Sequence, residues 1–249
     1  MKNARNIAPA RGRLAVLLPG LGAVATTLVA GVEAVRRGMA KPIGSLTQMA
    51  TVRLGKRTDR RSPPIKDLVP LAALDDLCFG AWDVFPDDAY ASALHARVLE
   101  QELIEKLRAP LQAVKPMSAV FSPDYVRRLD GPNVKKAANK RELGEALRED
   151  IRRFMRENDC ARGVMVWCAS TEVYLAPSAV HGQLSRFEQA MEANDPAIAP
   201  SMIYAWAALK EGIAAGFTAF KCGPEFRRNP RHIETPAQVQ HAIERFAAL

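Results

Sequence analysis

The feature that most constrains this chain is a change of period within residues 14–38. Leu14, Ala15, Val16, Leu17 and Leu18 form a continuous apolar run, the pattern of a strand buried on both faces. Pro19 and Gly20 stop it. From Gly22 onward the apolar residues recur at helical spacing, with Val24, Leu28, Val32 and Val35 on one face. Arg36 and Arg37 follow at the end where a helix dipole favours positive charge, and Gly38 closes the helix. The joint between the two patterns is Gly20-Leu21-Gly22-Ala23-Val24-Ala25, a G-x-G-x-x-A turn.

That joint has chemical consequences. A strand turning on two glycines into a helix presents backbone N–H groups and the positive end of a helix dipole, which suit a pyrophosphate. Gly20 allows the tight turn, Gly22 lets phosphates approach the backbone, and Ala25 is small enough for helix and strand to pack together. On residues alone the turn reads as a dinucleotide site with NAD as its ligand, or as a plain strand-to-helix joint. A dinucleotide site of this kind also places an acid near the ribose, about twenty residues further on. No acid stands there. Asp83, after the apolar strand at residues 77–81, is the candidate, displaced by a long connection; capping the next helix is its alternative role. Ser170, Thr171 and Glu172 follow a second buried run at residues 163–169, where open α/β sheets gather ligands. They read either as cofactor or substrate contacts or as a helix-capping cluster.

The rest of the chain alternates in the same way. Residues 1–13 are polar and basic and read as a flexible start. Residues 38–67 form a long basic connection with Gly44, Gly55, Pro63 and Pro64, a length usually reserved for a function. One helix is expected from Asp87 or Asp88 through Leu94, Val98, Leu99 and Leu103 to about Leu107. Ala119, Val120 and Phe121 read as a short strand, and residues 140–157 as a charged amphipathic helix. Further helices are expected at residues 178–193 and 201–211. Strand and helix alternating throughout predict an α/β fold with a doubly wound parallel sheet.

Composition narrows the partners. The 249 residues carry a formal net charge of +8. Much of the excess lies at Arg36, Arg37, Lys41, Arg53, Lys56, Arg57, Arg60, Arg61 and Lys66. No aromatic residue interleaves with them, so a base-stacking platform is lacking, and a basic nucleic-acid-binding protein is kept only as an alternative. The most apolar stretch, residues 14–35, is broken by Pro19, Gly20, Gly22, Thr26, Thr27 and Glu33, so no membrane span or secretory signal is read, and the cytoplasm is the default location. Cys78, Cys160, Cys168 and Cys222 form no CxxC pair, and His95, His181, His232 and His241 form no zinc-ligand pattern. Reduced thiols and no metal are expected.

Five stretches in order resemble the inositol-3-phosphate synthase (myo-inositol-1-phosphate synthase) family, in its bacterial branch. They are LLPGLGAVATTLVAG at residues 17–31, GAWDVFPDDAY at 80–90, KPMSAVFSPDYVRRL at 115–129, VMVWCASTEVY at 164–174 and APSMIYAWAALKEG at 199–212. The resemblance implies a Rossmann-like sheet with an incomplete second domain for catalysis and tetramerisation. It also implies NAD as cofactor and glucose 6-phosphate as substrate, converted to 1D-myo-inositol 3-phosphate for inositol and phospholipid biosynthesis, in a homotetramer. In that cycle NAD takes a hydride from C5 of the sugar, C6 attacks C1 after enolisation, and the ketone is then reduced. The cofactor supplies the hydride chemistry and the protein supplies position and charge. By motif, Gly20, Gly22, Ala23, Val24, Ala25 and Thr26 belong to the pyrophosphate cradle, Asp83 to the adenosine ribose, and Ser170 and Thr171 to the cofactor's vicinity. Ala81 stands where a glycine is usual, and Ser170 where the family often has Asn.

Beyond Gly212 the resemblance ends. The family's glycine-rich cofactor loop and its lysine-bearing GDDFKSGQT-like stretch have no counterpart, so no catalytic residue is assigned. Lys221 is the lone lysine of that tail, and Thr235-Pro236 with Val239, Ile243 and Phe246 reads as a terminal helix. The expected organisation is a flexible start at 1–13, an NAD-binding domain with the start of a catalytic domain at 14–212, and a divergent tail at 213–249. A truncated or frame-shifted coding sequence, or a shortened homologue, would account for it. The expectation is binding without turnover, with a catalytically inactive NAD-binding module as the alternative function.

Overall fold

The computed structural model describes residues 11–69 and 71–217. Most of the start expected to be flexible, nearly all of the expected tail, Lys221, Cys222, His232, His241 and the helix expected near the C-terminal end lie outside the described residues. Five strands, β1 (Arg13–Pro19), β2 (Leu77–Asp83), β3 (Pro116–Ser118), β4 (Cys160–Trp167) and β5 (Ala214–Phe217), form one sheet in the order β3-β2-β1-β4-β5. Every pairing is parallel. The strand order reverses direction at β1, so β1 and β4 flank the switch point at which doubly wound sheets bind ligands.

The two faces of the sheet each have a core. Along β1, Ala15 and Leu17 point to one face with Trp82, Met165 and Trp167. Val16 and Leu18 point to the other with Leu21 and Ala81. Strand period two sends alternate residues to opposite faces, and a strand apolar at every position needs both covered. Leu17 and Leu18 are fully buried, and each contributes about 1.5–3 kcal/mol. The second face is covered by α1 (Ala23–Arg36), α3 (Ala89–Ala96), α4 (Gln101–Lys106) and α5 (Arg108–Ala113). The first face carries α6 (Lys140–Glu157), α7 (Leu184–Glu192) and α8 (Pro200–Lys210). A four-residue helix, α2 (Leu46–Met49), lies in the connection after α1.

Several expectations change in detail. Helix α1 buries Ala25, Thr26, Val29, Ala30, Glu33 and Ala34, whereas Val24 and Leu28 are 53% and 39% exposed. Small residues let the helix lie close to the sheet, so the face of larger residues is not the core face. Glu33 is nevertheless buried because Arg36 and Arg37 each hold one of its oxygens. Gly38 (φ +68°) ends the helix as expected, its N–H donating to the Val35 carbonyl. The single helix expected to end near Leu107 is two, α3 and α4: Arg97 adopts φ +53° and breaks it, and a further helix, α5, follows with Pro110 in its first turn. The third strand comes earlier, at Pro116–Ser118, and Ala119 bridges to Val134 instead.

The basic connection is ordered. Val52 and Leu54 donate backbone N–H groups to Pro63 and Arg61, and Ile65 donates to Ala50. Arg36 at the end of α1 donates to the Leu74 and Leu77 carbonyls. The connection therefore leaves and rejoins the sheet at the start of β2, the end opposite the glycine turn.

Candidate functional site

The site is built from the ends of three strands. Gly20 (φ +91°) donates its N–H to the Trp82 carbonyl at 2.7 Å, and Cys168 donates to the Pro19 carbonyl at 2.9 Å. The segment leaving β4 passes so close that a Cβ on Gly20 would lie 2.4 Å from the Ala169 Cα. Glycine is required there twice over, by its backbone angle and by that approach. Gly22 behaves differently. It is the N-cap of α1, and a Cβ there would meet nothing within 4 Å. The space before the helix is open.

Nothing within α1 itself supplies a counter-charge for that helix end. No side chain caps α1, and no acid lies in its first turn. Ala23 and Val24 are exposed beside Gly22. An uncapped fourteen-residue helix facing an open crevice at a switch point fits the pyrophosphate of a dinucleotide. Thr26 takes a supporting part in the geometry: it is buried, and its hydroxyl donates to the Gly22 carbonyl at 2.9 Å.

Asp83, the last residue of β2, stands against the turn. Its Oδ2 accepts the Leu21 N–H at 2.6 Å and its Oδ1 accepts the Phe85 N–H at 3.0 Å. The cap of the next helix is Asp88, which accepts the Ala91 N–H, so Asp83 does not have that role. A carboxylate has about four lone-pair positions, so two accepted bonds leave room for hydroxyl donors. Ser170 and Thr171 are exposed just beyond β4. Glu172 departs from them: it is buried and its oxygens accept from the Ser201 N–H and hydroxyl at the start of α8. The helix-capping alternative holds for Glu172. The structure thus brings Gly20, Gly22, Ala23, Asp83, Ser170 and Thr171 to the same end of neighbouring strands.

Sequence reading passed over the strap at residues 131–135. Asn133 donates its side-chain amide to the Asp83 carbonyl at 2.9 Å and accepts the Ser118 hydroxyl at 2.7 Å, while its backbone N–H donates to Val84. A Cβ on Gly131 would lie 2.4 Å from the Val84 carbonyl oxygen. Gly131-Pro132-Asn133 is the signal in the sequence, a turn cluster with a side chain able to bond backbone on both sides.

Under the same strand ends, Tyr204 packs edge-on against both Trp82 and Trp167, with ring centres 5.5 and 5.6 Å away. Burial holds its phenol far above the usual range, and its oxygen accepts the Val120 N–H. Lys140 lies nearby at the start of α6, donating to the Tyr125 hydroxyl and the Asp195 carbonyl. Burial lowers its ammonium's pKa, against the pull of Asp195 and Asp124. Among the described residues no helix is long and apolar enough to cross a membrane.

Comparison with known proteins agrees with this architecture. A family model described as myo-inositol-1-phosphate synthase, covering an NAD-binding domain, matches residues 14–221. Inositol-3-phosphate synthase 1 of Bacteroides thetaiotaomicron is 47% identical over 209 residues, covering 83% of this chain and 48% of its own length. Inositol-3-phosphate synthase 1 of Oryza sativa is 29% identical over 249 residues, covering 94% of this chain and 47% of its own. The crystal structure of inositol-3-phosphate synthase from Caenorhabditis elegans superposes with a TM-score of 0.76 at 30% identity, over 82% of this chain and 43% of that one. The chain spans about half the length of the curated relatives it matches. The parallel sheet with its open glycine turn is an NAD-binding Rossmann-like domain, and the chain, matched by the family model over residues 14–221, belongs to the myo-inositol-1-phosphate synthase family.

Proposed function

We propose that this chain is the cofactor-holding part of an inositol-3-phosphate synthase, acting on glucose 6-phosphate. The observation that carries the reading is the open, uncapped start of α1 at Gly22, set at the switch point beside Asp83. Gly20, Gly22, Ala23 and Val24 would hold the pyrophosphate, with buried Ala25 and Thr26 seating the start of α1 against the sheet, Asp83 the adenosine ribose, and Ser170 and Thr171 the far end of the dinucleotide. When bound, NAD supplies a nicotinamide ring that can take a hydride from a sugar carbon and return it. The chain's own part is to bind and orient.

Moving protons at the sugar needs available ionisable groups, and among the described residues three near the strand ends are held in structural bonds. Asp83 holds Leu21 and Phe85, Glu172 holds Ser201, and Lys140 is spent on Tyr125 and Asp195. We therefore assign binding to these residues and the proton transfers of turnover to groups other than them. A cytoplasmic location accords with thiols at Cys78, Cys160 and Cys168 that are not joined in a disulfide. Homotetramer assembly is carried over from the family.

Two measurements on the purified chain test the reading. Trp82 adjoins Asp83, and Trp167 ends β4 beside Cys168, so bound NADH should quench tryptophan emission and gain fluorescence of its own. Glucose 6-phosphate with NAD should yield no inositol phosphate. Absence of energy transfer at saturating NADH would refute the binding role, and product formation would refute the division of labour.

A further inference from the structure

The Asn133 strap has no part in the cofactor contacts just assigned, yet it is fixed to the residue at their centre. Every polar group of Asn133 is used at the ends of β2 and β3. Its backbone N–H donates to Val84 and its carbonyl accepts from Ala119. Its amide donates to the Asp83 carbonyl and, at 3.3 Å, to that of Met117; its Oδ1 accepts from Ser118. Lys135, two residues on, donates its N–H to the Ala119 carbonyl and pairs through Nζ with buried Asp150 at 2.7 Å. Asp150 in turn accepts the Trp82 indole N–H at 2.9 Å. The strap thus grips the Asp83 main chain directly and reaches the Trp82 indole only through Asp150 of α6.

Those two residues are the ones that hold the glycine turn. Gly20 donates to the Trp82 carbonyl, and Leu21 donates to the Asp83 carboxylate. We infer that Asn133 is a positioning residue for the dinucleotide: through Asp83 it fixes where the Leu21–Gly22 backbone meets the phosphates. The inference rests on the proposed NAD site. A carboxylate bond to a backbone N–H is charge-assisted and sensitive to placement. Asp83 ends β2 and faces Ser118, the last of three paired positions between β2 and β3, so without Asn133 the end of this short pairing is held weakly.

The test uses the full chain, with Asn133→Ala, Asp83→Asn and the double variant. Two readouts are taken well below each variant's melting temperature: NAD affinity by calorimetry, and hydrogen exchange at the Leu21 amide without ligand. Asn133→Ala should weaken NAD by about tenfold and speed Leu21 exchange while amides of α6 and α8 keep their protection. The two substitutions should be non-additive, because one acts through the other. Additive losses, or a Leu21 amide that exchanges as in the parent protein, would overturn the inference. Should the parent chain fail to bind NAD, the cofactor reading fails with it, and Leu21 exchange alone decides whether the strap governs the turn.

Discussion

The Asp83 carboxylate accepts the Leu21 backbone N–H at 2.6 Å, tying the end of β2 to the middle of the glycine turn. A negative charge beside a phosphate site would ordinarily weaken it. Here the charge is neutralised in part by two backbone N–H groups, Leu21 and Phe85, and it sets the shape of the turn. Replacing Asp83 by Ala should cost about 1–3 kcal/mol of stability, since it strands two donors near the strand end. NAD affinity should fall as well. Urea unfolding with a parallel NAD titration reads both, and a loss of neither would mean that the clamp is idle.

The two glycines of the turn should separate fold from function. Gly20→Ala forces a side chain into the Ala169 backbone at a left-handed angle, so the protein should lose several kcal/mol, about 4 or more, or fail to fold. Gly22→Val meets open space, and the change at an N-cap costs about 1 kcal/mol or less. Its stability should be near that of the parent, with NAD binding blocked. Thermal melts distinguish the pair: equal destabilisation would show that the space at Gly22 is not open.

Cys160 offers a test in alkaline solution. Burial first, then the neighbouring Cys78 thiol, pushes its pKa from 9.0 up to about 12. The raised value means the folded state prefers the protonated thiol. Its contribution is fully present below the unfolded pKa and is lost as pH rises from about 9 towards 12. Stability measured across that window should fall less steeply in Cys160→Ser. In the native protein at pH 8, Cys160 should resist iodoacetamide; rapid labelling would contradict its protonated, shielded state.

Acid should act through Glu188. Its carboxyl lies below the usual range because of Lys210, opposed by burial and assisted by the Trp206 indole N–H and by Arg141. The folded pKa is depressed, so the stabilisation is present above the unfolded carboxylate range and is lost as pH falls through the folded value. Glu188→Gln should flatten the decline of stability below about pH 4.5. An unchanged acid limb would show that Lys210 and Arg141 contribute nothing there.

The sequence and the fold agree best where one residue pattern has one solution. The run at Leu14–Leu18 could be buried only inside a sheet, and Asn139 with residues 140–157 gave a capped amphipathic helix of the expected length. The α1 core face was misjudged because hydrophobicity points to Val24 and Leu28, whereas closeness to the sheet selects Ala25, Ala30 and Ala34. The break at Arg97 was hidden because a left-handed arginine leaves no mark in composition. Of the site, the glycines and Asp83 were legible from spacing and likeness. The Asn133 strap was not, because its bonds join residues 50 and 15 positions apart along the chain. In sequence Glu172 reads equally as a ligand contact or a helix cap, and Ser201 on a later helix, which it accepts from, selects the cap.

The central claim is that the open start of α1 holds a dinucleotide. Calorimetric titration of NAD into the parent chain and into Gly22→Val tests it most directly. Saturable binding at one site per chain is expected, lost in Gly22→Val while the melting temperature stays close to the parent's. No saturable heat with the parent chain folded, or equal affinity in the two proteins, would contradict it.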